Sequence, residues 1–146
     1  MADLFVAAEV GNLAEIRRFV REEAAALGAG EEAICDLELA VDEAACNIIC
    51  HGYQDLGGTI QVGVKRDGDR LIVCLHDEAP PFDPTRHPPA DVTLPLEQRR
   101  LGGLGIFLIR QAVDEMVYRV PPEGGNELTL IKRLVSLSPG GETAVQ

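Results

Sequence analysis

LELAVDEAACNIICHGY, residues 37–53, puts polar groups inside a helix that is apolar on most of its sides. Leu37, Val41, Ala44 and Ile48 recur at i, i+4, i+7 and i+11, the spacing of one helix face. Leu39, Cys46, Ile49 and Cys50 make most of the other sides apolar too, so the helix is expected to be largely buried. Glu43 and Asn47, four apart, sit one above the other. A carboxylate and a carboxamide in that setting call for a ligand, a metal or a polar cleft. The plainer alternative is that Glu43 caps a loop or pairs with an arginine while Asn47 bonds a backbone carbonyl.

Around this helix, expected over about 31–51 and stopped by Gly52, the pattern divides cleanly. Upstream, residues 3–10 read as a strand, Gly11 and Asn12 as a break in which Asn12 can cap the next element, and 13–27 as an amphipathic helix with Ile16, Val20 and Ala24 inward. Downstream, 59–66 and 70–76 alternate apolar and polar residues across Asp67-Gly68-Asp69, an antiparallel hairpin. Prolines then end the sheet after Asp77, and residues 83–101 are polar and proline-rich, a loop or lid of a length that is more often functional than idle. Gly102-Gly103-Leu104-Gly105 opens a third helix carrying Ile106, Ile109, Ala112, Val113 and Met116 on helical spacing. Residues 117–120 and 127–135 form a closing hairpin, and the tail from Ser136 is expected to be disordered. The order β-α-α-β-β-lid-α-β-β predicts an α+β sandwich: a mixed, mostly antiparallel sheet with helices on one face.

Composition narrows the function classes. The 146 residues suit one domain, and thirteen basic against twenty-four acidic side chains give a net charge of −11, which disfavours nucleic acid and anionic membrane as partners. No apolar run is long enough to span a bilayer and no signal peptide is evident, so the expected location is cytoplasmic. Cys46, Cys50 and His51 are better read as small buried residues and a helix end than as metal ligands.

Two further stretches carry chemistry. The glycines before the third helix can form an anion site, because a helix N-terminus has unpaired N–H groups and glycine lets phosphate oxygens approach; equally, they can be plain turn residues. Asp77, ending a strand, can accept a hydrogen bond from an exocyclic amine, or simply start a turn.

The ordered set Glu-x-x-x-Asn in a helix, Asp-x-x-Pro-Pro-Phe-Asp-Pro from Asp77 to Pro84, and Gly-Gly-Leu-Gly-Ile from Gly102 to Ile106 resembles the GHKL ATPase superfamily. Within it, residues 43–53 and 101–115 resemble the anti-sigma-factor serine/threonine kinases of bacterial partner-switching systems. The resemblance implies a two-layer Bergerat-type ATP-binding domain over 1–135, with an ATP lid at about 83–102. It implies that Asn47 coordinates Mg²⁺ on the ATP phosphates and that Glu43 is general base toward a serine or threonine hydroxyl. Asp77 would bind the adenine amino group, with Ala79, Pro81 and Phe82 beside it. Gly102, Gly103, Leu104, Gly105 and Ile106 would line the phosphates, Arg99 or Arg100 would add positive charge from the lid, and Thr129 would lie near adenine. Ala79 stands where the family usually has glycine; a positive φ there would cost about 1 kcal/mol, and a clearance role would make the methyl crowd the base.

The function so implied is an ATP- and Mg²⁺-dependent serine/threonine protein kinase, binding ATP or ADP. It would phosphorylate a small antagonist protein and sequester a partner such as a sigma factor, with Arg17 near the partner surface and a homodimer as the assembly. Against it stand an ATP-gated binding switch that transfers no phosphate, and a detached ATP domain feeding a histidine in trans.

Overall fold

The computed structural model describes residues 3–54, 56–86 and 103–134. Five strands form one sheet in the order β1-β2-β3-β5-β4, from β1 (Asp3–Ala7), β2 (Thr59–Asp67), β3 (Arg70–Asp77), β4 (Glu115–Arg119) and β5 (Asn126–Arg133). All four pairings are antiparallel, the limiting case of the mostly antiparallel sheet expected. Alternation decides which face is dry: Ile60, Val62 and Val64 of β2, Leu71, Val73 and Leu75 of β3 and Leu128 and Leu130 of β5 are buried together. Helices α1 (Leu13–Ala26), α2 (Glu31–Asn47) and α3 (Gly103–Ala112) cover that face. They add Ile16, Val20 and Ala24, then Ile34, Leu37, Ala40, Val41, Ala44 and Ala45, then Ile106, Ile109 and Ala112 to the same core. The other face carries polar residues and exposed Phe5 and Val117.

Helix α2 lies between α1 and α3. Its burial is confined to the faces turned to the sheet and its neighbours, and Leu39 remains 41% exposed. The expected single helix to residue 51 instead changes geometry after Asn47. Ile48–Gly52 forms a π-helical turn, closed by the Tyr53 N–H on the Ile48 carbonyl at 2.8 Å. Such wide turns gather at functional sites. Gly52 ends the helix without adopting positive φ; its missing side chain instead makes room for Ala79, whose methyl would lie 3.3 Å from a Cβ at position 52.

Three boundaries differ from those expected, for identifiable reasons. The first strand stops at Ala7, because Asn12 donates its side-chain amide to the Ala7 carbonyl at 2.8 Å rather than capping α1. The third helix stops at Ala112, so Met116 belongs to β4. The positions 112, 113 and 116 continue the helical spacing by coincidence, while Asp114 gives its N–H to Ile131 and its carboxylate accepts from Arg133, starting the strand pair. Asn126 belongs to β5 rather than to the preceding turn. The lid from residue 87 to 102 and the tail beyond 134 lie outside the described residues.

The β4–β5 turn presses on the end of β3. Gly124 (φ +94) and Gly125 (φ +82) both use the left-handed region, but only at Gly125 would a Cβ meet the chain, 2.3 Å from the Asp77 carbonyl oxygen. Gly124→Ala is expected to cost about 1 kcal/mol through backbone strain alone. Gly125→Ala should cost roughly 1–3 kcal/mol more, because strand β3 must move. Urea unfolding of the two variants measures the difference, and equal losses would show that the turn does not constrain β3.

Candidate functional site

The end of α2, its π-helical turn, the end of β3, the loop after it, α3 and the β4–β5 pair enclose a pocket. Its walls include Asn47, Ile48, Asp77, Phe82, Tyr118 and Asn126, around about 410 Å³ of empty space counting the open mouth.

Asp77 is the last residue of β3, facing the core side and only 3% exposed. Two donors meet its Oδ1: the Ala79 N–H at 2.9 Å and the Asn126 side-chain amide at 2.8 Å. Oδ2 has no hydrogen bond to any described residue, which leaves it as the acceptor this pocket wall offers. Burial pushes the Asp77 carboxyl up, against the pull of those two bonds.

Asn126 is the junction of this end. Register brings it opposite Asp77 across the β3–β5 ladder. Its amide nitrogen also reaches the Ala79 and Pro80 carbonyls at 3.1 and 3.3 Å, while its oxygen accepts the Phe82 N–H at 2.9 Å and the Tyr118 hydroxyl at 2.5 Å. Beyond Phe82 the chain is tied down again. Asp83 accepts the Thr85 N–H and hydroxyl at 2.9 and 2.6 Å, and Arg110 of α3 donates to the Thr85 carbonyl at 2.5 Å. Tyr53 closes the opposite side: its hydroxyl accepts the Glu78 N–H at 2.7 Å and donates to the Thr59 carbonyl at 2.8 Å.

At the other end, α3 enters against Glu43 and Asn47. A Cβ on Gly105 would sit 3.0 Å from Glu43 Oε1 and 3.6 Å from both amide atoms of Asn47. Gly105 is therefore needed for close approach. Glu43 and Asn47 make no hydrogen bond to any other described residue, and the neighbouring Asp42 pairs with Arg17 at 2.5 Å. The plainer alternative, in which both groups are satisfied within the protein, finds no partner among the described residues. Burial, and next the neighbouring Asp42 charge, push the Glu43 carboxyl up.

The remaining sequence candidates divide. Phe82 lines the pocket, whereas Pro81 is exposed and faces a separate groove with His51 and Tyr53. Ala79 is 2% exposed and its φ is not positive, so the strain expected of it does not arise; the methyl packs toward Gly52. Ile106 is a core residue, 1% exposed. Thr129 requires correction: directly opposite Cys74, with its hydroxyl 3.9 Å from that sulfur, it lies on the far face of the sheet from Asp77. The odd–even alternation of β5 gives the inward place to Asn126 instead. Gly103 and Leu104 begin α3, and Arg99, Arg100 and Gly102 lie outside the described residues. Cys46 and Cys50 place their sulfurs 3.9 Å apart, and burial together with Cys50 pushes the Cys46 thiol up to about 11.

Sequence reasoning missed Asn126, Tyr118, Tyr53 and Arg110. The one available signal was Asn126 itself, a polar residue opening an alternating strand, which composition assigns to the turn.

Residues 6–132 match the family described as histidine kinase-like ATPase domain. The serine-protein kinase RsbW of Halalkalibacterium halodurans is 33% identical over 94 residues, 62% of this chain and 57% of that protein. RsbW of Bacillus cereus strain Q1 is 28% identical over 118 residues, covering 78% and 74%. RsbW of Listeria monocytogenes is 38% identical over 94 residues, covering 61% and 60%. The chain thus spans little more than half the length of the first of these relatives. The crystal structure of the RsbU and RsbW domains of a Mycobacterium tuberculosis protein superposes with a TM-score of 0.57 over 92% of this chain and 33% of that one, at 21% identity, a likeness of fold. The family match begins in β1 and ends in β5, taking in every strand and helix that builds the pocket, and the chain belongs to the histidine kinase-like ATPase domain family.

Proposed function

We propose that this chain is a cytoplasmic serine/threonine protein kinase of the anti-sigma, partner-switching kind, which binds ATP in the α2–β3–α3 pocket and phosphorylates a small antagonist protein. The observation that carries this reading is the pair Glu43 and Asn47, on one face of a helix with no partner among the described residues and packed on Gly105, at a pocket whose other end presents Asp77. The relatives named serine-protein kinase support the reaction type. Sequestration of a sigma factor and homodimerisation belong to the same proposal.

In this reading Asp77 Oδ2 accepts the amino group of adenine, Phe82 covers the base, and the N-terminal turn of α3 offers its unpaired N–H groups to phosphate oxygens. Asn47 supplies a neutral hard oxygen with no competing partner among the described residues, which fits a Mg²⁺ ligand. The ion, when bound, neutralises charge on the phosphates. Glu43, with its carboxyl pushed up by burial, accepts the proton of the incoming serine or threonine hydroxyl. Its side chain is half-buried rather than sealed, so an incoming hydroxyl has access to it.

Glu43→Gln keeps shape and removes the base. Transfer of labelled γ-phosphate to a serine-bearing antagonist domain should fall roughly 100- to 10,000-fold, while calorimetric ATP affinity stays within a few-fold. Undiminished transfer would eliminate Glu43 as the base, and ATP binding with no transfer by the wild type would favour the binding switch. The acid limb of the wild-type rate profile should lie above the ordinary glutamate range and vanish in this variant.

Asp77→Asn tests the base-reading end. The native carboxyl is pushed up, so the folded state retains a proton that the unfolded chain has released, and stability falls as pH rises from about 3.9 through the folded value. The variant should lose that slope and keep the fold, because an asparagine oxygen still accepts both native donors. Its ATP affinity should drop at least about tenfold, the loss of a hydrogen bond to a charged group. Thermal melts across pH and calorimetry read the two effects separately, and unchanged affinity would remove Asp77 from the site.

A further inference from the structure

The polarity of the base-reading end is set by a side chain that has no role in phosphate chemistry. Asn126 is 6% exposed, and every polar atom of its amide is engaged. Its oxygen receives the Phe82 N–H at 2.9 Å and the Tyr118 hydroxyl at 2.5 Å. A backbone N–H can only donate, so the atom facing Phe82 must be the oxygen, and the amide cannot be turned over. The amide nitrogen is then committed to acceptors: Asp77 Oδ1 at 2.8 Å and the carbonyls of Ala79 and Pro80 at 3.1 and 3.3 Å.

The consequence passes on to Asp77. With the Ala79 N–H also on Oδ1, at 2.9 Å, one carboxylate oxygen is saturated and Oδ2 is left as an acceptor in the pocket wall. Asn126 has no donor to spare for a ligand and acts only through Asp77. We propose that Asn126, locked by Tyr118 and Phe82, is the positioning residue that makes this pocket select a 6-amino purine over a 6-oxo purine, an inference that rests on the nucleotide-binding reading above. A 6-oxo group brings an acceptor oxygen against Oδ2, and two buried acceptors face to face are refused. Without Asn126, the carboxylate torsion is free to exchange its oxygens and the carboxyl loses a bond that favours its ionised form. A protonated Asp77 presents a donor, which suits the oxo group as well as the unprotonated form suits the amine.

The test is direct binding of fluorescent N-methylanthraniloyl ATP and GTP to the full chain and to Asn126→Ala, Asn126→Asp and Tyr118→Phe, each checked for folding by its melting curve. The wild type should prefer the adenine nucleotide by at least about tenfold. In the Asn126 variants the ratio should shrink to within about threefold, with ATP affinity falling and GTP affinity held or improved. Tyr118→Phe should give an intermediate ratio, because the Phe82 N–H still fixes the amide, and it carries the test if the Asn126 variants do not fold. ATP and GTP affinities that fall together at constant ratio would overturn the proposal and leave Asn126 as a strut for the Ala79–Phe82 loop. So would a wild type that does not discriminate. A wild type that binds neither nucleotide would instead overturn the ATP-binding reading itself, and the selectivity with it.

Discussion

The hydrogen bond from Asn126 to Asp77 joins two buried polar side chains, 6% and 3% exposed, across the centre of the sheet, where a lone carboxylate would be costly. Much of this end of the fold depends on satisfying it. Asp77 can end β3 facing inward because Asn126 and the Ala79 N–H supply donors. Asn126 can supply one because Phe82 and Tyr118 hold its oxygen, and Phe82 is in place because the loop after Pro80 turns back onto β5. A partly satisfied network of this kind is worse than an apolar core, while a complete one specifies a single arrangement. The glycine turn preceding Asn126 belongs to the same constraint, since it brings position 125 against the Asp77 carbonyl with no space for a side chain.

The opposite end of the pocket works by the reverse principle. Glu43 and Asn47 have no hydrogen-bond or ion-pair partners among the described residues, and the adjacent Asp42 pairs with Arg17 of α1. That pair is partly exposed and adds little to stability. Glu43, on the side of α2 that meets α3, feels burial and next the Asp42 charge. Among the described residues, hydrogen bonds thus gather at the Asp77 end of the pocket and are absent at Glu43 and Asn47.

Periodicity made the fold legible. Helical spacing in α1 and α2 and strict alternation in β2 and β3 located four elements, and the Asp-Gly-Asp turn joined two of them correctly. The chemistry-bearing pair Glu43 and Asn47 was visible because polar residues four apart on an apolar helix violate the local pattern. What escaped was long-range. Asn126 lies 49 residues from Asp77, and nothing in a run of proline, glycine and asparagine says which residue begins a strand or which strand it faces. The same ignorance of strand phase placed Thr129 near the site: a one-residue choice of inward position decides between Leu128 and Thr129, and the core took the leucine. Met116 was lost to the helix because spacings of three and four also occur by chance where a helix gives way to a strand.

Ala79 shows why a residue that breaks a family pattern has to be judged with its neighbour. Alanine in place of glycine would strain a backbone at positive φ, but here φ is not positive and the buried methyl packs toward Gly52. Space has been exchanged between two segments: glycine at the π-helical turn admits the methyl two residues past Asp77. That contact brings the end of α2, which carries Asn47, against the loop that carries the Ala79 N–H, so the two ends of the pocket share one packed surface. A side chain added at position 52 would push on both at once, with the turn after Asn47 on one side and the N–H donor of Asp77 on the other. The geometry of the two ends is therefore coupled through packing between two small residues, beside the Tyr53 hydroxyl that accepts the Glu78 N–H.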